Sequence, residues 1–208
     1  LSDEKAKKIT NRINEVFDKS FDKSKSSEKM EIAFIQHKWK DLRKATPEDF
    51  ESSPDTRVKK ETLLAIGKNL TEVPKDLKLF RKIIKLQEDR RKMIEKSHEL
   101  DWAMGELLAY GSLLLEGKAV RLSGQDSARG TFSHRHSVLK IEDSEEEYVP
   151  LNNLSDDQAV FEVYNSSLSE YGVLGFEYGY SCLTPHSLSI WEAQFGDFFN
   201  GVQVIFDQ

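Results

Sequence analysis

The chain of 208 residues has almost none of the features that cross-link a secreted protein or anchor a membrane protein. Its single cysteine, Cys182, cannot form an intramolecular disulfide and has no neighbouring cysteine at metal-ligand spacing. This excludes a disulfide-stapled scaffold and a thiolate zinc site. No apolar run approaches the length that spans a bilayer, and the N-terminus lacks the pattern of a secretory signal. We therefore expect a soluble protein of a reducing cell interior.

An excess of positive charge is also absent. The formal net charge is −6 at pH 7 and the isoelectric point is near 5.5, so the chain has no general attraction for nucleic acid or for an anionic membrane surface. Neither is expected as a partner. Hydrophobic residues make up 38% of the chain and charged residues 32%, which is typical of a globular protein with a charged exterior. The length suits one ordinary domain with a helical extension.

Residues 1–96 are predicted to form a helical connecting segment, because apolar residues recur there at helical spacing among lysines and acids. A proline-containing loop over residues 46–54 separates these stripes from two further helices, over residues 63–70 and 79–94. The stripes are narrow, so this segment is expected to pack against the rest of the chain or a neighbouring subunit. The first stripes comprise Ile9, Ile13, Val16, Phe17 and Phe21, followed by Met30, Phe34, Trp39 and Leu42.

Residues 97–208 contain less lysine, more glycine and apolar runs of strand-like length, so we place a domain boundary at their start. The alternation of helices and strands predicts an α/β fold with a mostly parallel sheet. Functional residues in such folds follow the carboxyl ends of the strands. The predicted helices are residues 101–116, 169–180 and 196 to the end, and the predicted strands are residues 119–122, 159–164 and 187–191.

Three segments at the predicted strand ends carry residues suited to chemistry. Residues 121–136 contain a pair of histidines, residues 167–172 place a carboxylate at the start of a helix, and residues 191–198 form an aromatic-rich loop. Together they suit a flat, nitrogen-containing ligand. A Walker loop and a GxGxxG fingerprint are both absent from the sequence.

The second half of the chain closely resembles the thiamine-diphosphate-dependent, decarboxylating component of 2-oxoglutarate dehydrogenases, in the transketolase superfamily. The runs that carry the resemblance are residues 120–124, 131–138, 175–180 and 190–198. The resemblance implies that residues 97–208 are the first part of a transketolase-like pyrimidine-binding domain. Because the chain starts without Met and stops inside a predicted helix, we expect a fragment of a longer enzyme.

The resemblance implies that four residues contact the aminopyrimidine ring of thiamine diphosphate. Glu170 would hydrogen-bond a ring nitrogen and share its proton, which favours the imino tautomer that takes up the thiazolium proton. It would thus be the catalytic residue. Phe195 and Phe198 would flank the ring, with Phe198 preferred for stacking, and Leu168 would touch it. Spacing alone leaves open an ordinary helix-terminal acid and two core aromatics.

Two histidines are candidates for substrate binding. His134 and His136 could hold an acidic dicarboxylate substrate, with help from the nearby Arg129 and Arg135. The alternative is that the histidines form local hydrogen bonds that order their loop.

Asp126 and Gln125 stand at a strand end where related enzymes place acids close to the cofactor, so they are potential cofactor contacts. Magnesium and the diphosphate are held in this family by a separate upstream domain whose motifs the chain lacks. No metal ligand is therefore assigned.

The resemblance implies a complete enzyme that decarboxylates 2-oxoglutarate and passes the succinyl group to a lipoyl-bearing succinyltransferase. It would work as a homodimer in a bacterial cytoplasm or, in a eukaryote, in the mitochondrial matrix, with the bacterial location favoured. The isolated chain is expected to be inactive. Two alternatives remain open, a closely related 2-oxoadipate dehydrogenase and a non-catalytic interaction module.

Overall fold

The computed structural model describes residues 2–26, 36–97 and 99–207, and the chain divides into two compact units, Leu1–Lys40 and Asp41–Gln208. The first unit contains the helix α1 (Asp3–Ser26) and a 3-10 turn at Gln36–Trp39. The apolar stripe of α1 stays exposed, with Phe17 at 67% and Phe21 at 63% of full exposure. Met30 and Phe34, which belong to the second predicted stripe, lie outside the described residues.

The second unit begins with helices that share a core with the α/β part. After a 3-10 turn at Pro47–Phe50 come α2 (Lys60–Thr71), α3 (Arg81–Lys92), a π-helical turn at Met93–Ser97 and α4 (Trp102–Leu115). Asp101 caps α4, since its carboxylate accepts a hydrogen bond of 2.7 Å from the Met104 amide. Ile66, Leu70 and Ile94 belong to the same buried cluster as Met104 and Leu107. The boundary placed between residues 96 and 97 stays a prediction.

A parallel sheet forms the centre of the second unit. Its strands are β1 (Val120–Gly124), β4 (Phe161–Asn165) and β5 (Leu188–Glu192), and their order in the sheet is β4-β1-β5. The helix α5 (Glu170–Leu183) connects β4 to β5. The short strands β2 (Leu139–Lys140) and β3 (Glu147–Tyr148) pair separately as an antiparallel ladder. Val120 and Leu122 are fully buried in β1, as the central strand of a parallel sheet requires. The predicted α/β architecture with a parallel sheet is confirmed.

The prediction of one continuous helix from residue 196 to the end is wrong. The structure has a 3-10 helix at Gly196–Gly201 and then the single-turn helix α6 (Gln203–Phe206). Between them, Val202 has a φ of −122°, outside the helical range, and its side chain is fully buried. Burial of this valine breaks the direction of the helix.

Across the described ranges, no helix is both long enough and apolar enough to span a membrane.

Candidate functional site

The carboxyl ends of the three parallel strands bring three loops to one edge of the sheet. Gly124 at the end of β1 pairs in register with Asn165 of β4 and Glu192 of β5. Its φ is +154°, and a Cβ added there would lie 2.2 Å from the Glu192 carbonyl oxygen. Only glycine fits this close approach. The loops that follow β1, β4 and β5 therefore start from positions that the sheet fixes.

Glu170 lies at this edge as the first residue of α5. The preceding Ser169 caps the helix by accepting a hydrogen bond from the Gly172 amide, which fixes the main chain at Glu170. The carboxylate is partly buried, and its Oε1 accepts a hydrogen bond of 3.2 Å from Gln125 Nε2. Its Oε2 has no hydrogen-bond partner in the described part of the chain. One carboxylate oxygen is thus held while the other can share a proton with a ligand.

Asp126 follows Gln125 and reaches the loop after β5. Its Oδ2 accepts a hydrogen bond of 3.0 Å from Gln194 Nε2 and lies 2.8 Å from Arg129 Nη2. The φ of Asp126 is +57°, a left-handed conformation that Asp tolerates better than most residues. The structure therefore brings Asp126 to the predicted edge, where protein groups already engage its carboxylate.

Three aromatic rings from the loops after β1 and β5 form a cluster. The centroids of Phe195 and Phe198 are 6.0 Å apart with an interplanar angle of 78°, and Phe132 meets Phe195 edge-on at the same distance. Phe195 and Phe198 are exposed to 43% and 44%, and Leu168 to 55%, so none of the three is buried in the core. The rings offer apolar, quadrupolar surface at the edge where Glu170 lies. Phe132 was missed by the sequence reasoning.

The loop of the two histidines lies between β1 and β2. The ring of His134 stands 6.4 Å from that of Phe132, and its Nδ1 is buried without a hydrogen-bond partner in the described ranges. Burial lowers the pKa of His136, and electrostatic interactions with Arg90, Arg129 and His134 lower it further. This environment works against the imidazolium form on which binding of a dicarboxylate by charge would depend.

Arg135 does not face a substrate, so the expectation that it complements substrate charge is wrong. The residue is 1% exposed, and its guanidinium binds two carboxylates, with Nε 2.9 Å from Glu106 Oε2 and Nη1 3.0 Å from Glu192 Oε1. Nη1 also donates a hydrogen bond of 2.8 Å to the Ser127 carbonyl oxygen. The hydrogen-bond donors of the guanidinium are therefore occupied by groups of the protein itself.

Arg90 of α3 is a second buried cation that the sequence reasoning missed. It is 3% exposed, and its Nη2 donates hydrogen bonds to the carbonyl oxygens of His134, at 3.0 Å, and of Arg135. Burial lowers the pKa of Arg90 to about 10. The partners are more than forty positions apart, so no local pattern in the sequence could have linked them.

A comparison with known families decides the identity of the fold. Residues 98–208, more than half of the chain, match the family model described as the transketolase, pyrimidine binding domain. The chain belongs to this family. Within the described ranges, no group of three or more His, Cys, Asp or Glu side chains is placed to hold a metal ion.

Relatives extend the likeness of this transketolase-type chain beyond the matched domain. It is 48% identical over 188 residues to proteins named "2-oxoglutarate dehydrogenase E1 component" from Brucella anthropi, Brucella ovis and Brucella canis. The alignments cover 90% of the chain and 19% of each relative, so the chain spans about a fifth of their length. The predicted resemblance to decarboxylating components of 2-oxoglutarate dehydrogenases is confirmed.

Proposed function

We propose that this chain is the pyrimidine-binding part of a longer, thiamine-diphosphate-dependent 2-oxoglutarate dehydrogenase. The observation that carries the proposal is the hydrogen-bonded link between Glu170 and the aromatic loop. Gln125 donates to Glu170, and the next residue, Asp126, accepts from Gln194, which precedes Phe195. An acid and exposed aromatic rings are thereby joined at the carboxyl edge of a parallel sheet, where such folds bind ligands. The name of the relatives supports 2-oxoglutarate as the substrate.

The residues at this edge fit the aminopyrimidine ring of thiamine diphosphate. Such a ring needs an acid that shares a proton with a ring nitrogen and an apolar surface against its face. Glu170 has one carboxylate oxygen held by Gln125 and the other without a partner in the described ranges. Phe195 and Phe198 present exposed rings, and Leu168 an exposed apolar side chain.

Each of these residues has a separate task in the proposed site. When bound, thiamine diphosphate would supply a nucleophilic thiazolium carbon and a positively charged ring that serves as the electron sink for decarboxylation of a 2-oxo acid. Glu170 holds the proton shared with the ring nitrogen at one carboxylate oxygen. Phe195 and Phe198 orient the ring and exclude water, and Leu168 adds an apolar contact at the start of α5. Asp126 is a further candidate for cofactor contact.

The other parts of the function rest on the family resemblance. The ligands of magnesium and of the diphosphate are assigned to parts of the enzyme outside this chain. His134 and His136 stay candidates for substrate binding, through hydrogen bonds of the neutral rings, since the surroundings of His136 oppose the imidazolium form. The acyl acceptor is the lipoyl group of a succinyltransferase, and the enzyme works as a homodimer. The bacterial relatives support a location in the bacterial cytoplasm.

Glu170→Gln in the full-length protein tests the proposal. The substitution keeps size and part of the hydrogen bonding but removes the acid that shares the proton. We expect the cofactor to bind as before, while hydrogen–deuterium exchange at the thiazolium carbon slows by roughly a hundredfold to ten-thousandfold. Glu61→Gln is the matched control, because Glu61 is an exposed acid in the first turn of α2. Exchange at the parent rate in Glu170→Gln would remove Glu170 from the mechanism.

The isolated chain provides a second test. It holds only the pyrimidine side of the proposed site, so we expect neither decarboxylase activity nor tight binding of thiamine diphosphate. Calorimetric titration with the cofactor and magnesium measures this. An affinity in the micromolar range would contradict the assignment of most of the binding energy to the diphosphate and metal side.

A further inference from the structure

Gln125 is the first residue beyond β1, and the backbone is fixed on both sides of it. Gly124 before it packs against the Glu192 carbonyl oxygen, and Asp126 after it is held in the left-handed region by its own contacts with Gln194 and Arg129. The Gln125 side chain is itself partly buried. Its amide therefore projects from a fixed strand end rather than from a mobile loop.

The amide of Gln125 makes one particular contact, the hydrogen bond of 3.2 Å from Nε2 to Glu170 Oε1. A glutamate side chain has three rotatable bonds, and Ser169 fixes the main chain of Glu170 but none of them. In the described ranges, Gln125 is the one residue with a hydrogen bond to this carboxylate. Because the donor is neutral, it orients the carboxylate without adding charge to the site.

We propose that Gln125 is a positioning residue that aims the carboxylate of Glu170, an inference that rests on the proposed role of Glu170. By holding Oε1, the amide leaves Oε2 as the oxygen that shares a proton with the ring nitrogen. Proton sharing depends on geometry within hydrogen-bond reach, so a carboxylate that rotates freely spends less time in the productive orientation. Gln125 acts through Glu170 and need not touch the cofactor.

Gln125→Met in the full-length protein tests this role, because methionine has a similar length but no donor. We expect exchange at the thiazolium carbon of the bound cofactor to slow by roughly tenfold to a hundredfold. The dissociation constant of the cofactor and the thermal unfolding midpoint should stay at the parent values. Gln203→Met is the matched control, because Gln203 is exposed on α6. Exchange at the parent rate in Gln125→Met would overturn the proposal.

A double-mutant cycle separates positioning from an independent role. If Gln125 acts only through Glu170, the variant with both Gln125→Met and Glu170→Gln should exchange as slowly as Glu170→Gln alone. The exchange reaction is followed long enough to measure the slow rate of the Glu170→Gln protein, so that a further slowing in the double variant can be detected. A further slowing of the double variant by the factor seen for Gln125→Met alone would overturn the positioning role.

The two proposals fail in different ways. Slow exchange in Glu170→Gln together with the parent rate in Gln125→Met overturns only the role of Gln125. The parent rate in Glu170→Gln removes Glu170 from the proposed mechanism, and the role of Gln125 with it.

Discussion

Glu192, the last residue of β5, binds the guanidinium of Arg135 with both carboxylate oxygens, one of them 3.0 Å from Nη1. The same guanidinium binds Glu106 of α4, and Tyr110 donates a hydrogen bond of 2.7 Å to Glu106. Through Arg135, the loop between β1 and β2 that contains His134 and His136 is therefore bonded both to α4 and to the end of β5. The relative positions of the loops after β1 and β5 depend on this contact, and these loops carry most of the proposed site.

Replacing Arg135 should destabilise the fold strongly. Arg135→Met leaves the carboxylates of Glu106 and Glu192, whose side chains are 25% and 29% exposed, without their shared cation. Breaking a fully buried pair typically costs about 3–5 kcal/mol, and the partial exposure of these two acids lowers the expected loss to about 2–3 kcal/mol. We expect the free energy of unfolding in urea to fall by about that amount. Arg57→Met is the control, since Arg57 pairs with Asp55 in full exposure and its loss should leave the unfolding midpoint unchanged. Equal midpoints for the two variants would contradict the structural role of Arg135.

Substitution by alanine should lower the free energy of unfolding at Gly124 and raise it at Gly105. At Gly124 a Cβ would lie 2.2 Å from the Glu192 carbonyl oxygen, so Gly124→Ala combines overpacking with a strained φ and should cost roughly 2–6 kcal/mol. At Gly105, within α4, an added Cβ meets no described atom within 4 Å. Gly105→Ala should therefore stabilise the helix by about 0.5–1 kcal/mol. Thermal unfolding of both variants measures the difference, and a tolerated Gly124→Ala would contradict the close approach of β1 and β5.

The sequence predicted the three strands of the parallel sheet well, because each is a short apolar run flanked by turn residues, but it did not predict the two-residue strands β2 and β3. The predicted strand over residues 187–191 matches β5 within one residue at each end, and the predicted helix over 169–180 matches most of α5. The end of the chain was predicted poorly, because burial of Val202 overrides the helical pattern there. Tertiary packing decides such breaks, and local periodicity does not report it.

The candidate site was partly predictable for the same reason. Parallel strands end at one edge, so the positions of Glu170, Asp126 and Phe195 near that edge followed from the order of the elements. Their roles stay predictions. The clamp between Arg135 and two distant acids could not be predicted, because its members are 29 and 57 residues away in sequence. Charge type suggested a ligand-binding arginine, whereas burial shows a structural one.

The pH dependence of stability should contain a contribution from His136. Its ring is partly buried, near Arg90 from α3 and Arg129 and His134 from its own loop. Two clefts that it lines also contain further charged groups, namely Arg81, Lys82, Asp126, Lys140, Glu142 and Glu147. Burial, followed by the charges of Arg90, Arg129 and His134, lowers its pKa in the folded protein below the ordinary value of 6.5. Above that value the ring is neutral in both folded and unfolded chains. As the pH falls below about 6.5, the unfolded chain takes up the proton first, so the free energy of unfolding decreases until the folded ring is protonated too.

Two variants isolate this contribution. His136→Asn removes the titrating ring, and asparagine tolerates the φ of +39° at this position. The decrease in unfolding free energy below about pH 6.5 should therefore be shallower than in the parent protein. Arg129→Gln removes one of the cations that oppose protonation of His136. The slope of its unfolding free energy against pH should therefore lie between those of the parent and His136→Asn.

Urea unfolding at a series of pH values gives these slopes, and an NMR titration of the His136 ring gives its pKa directly. A ring that titrates at or above 6.5, or equal slopes in the parent and His136→Asn, would contradict the assignment, because a lowered pKa must appear in both measurements.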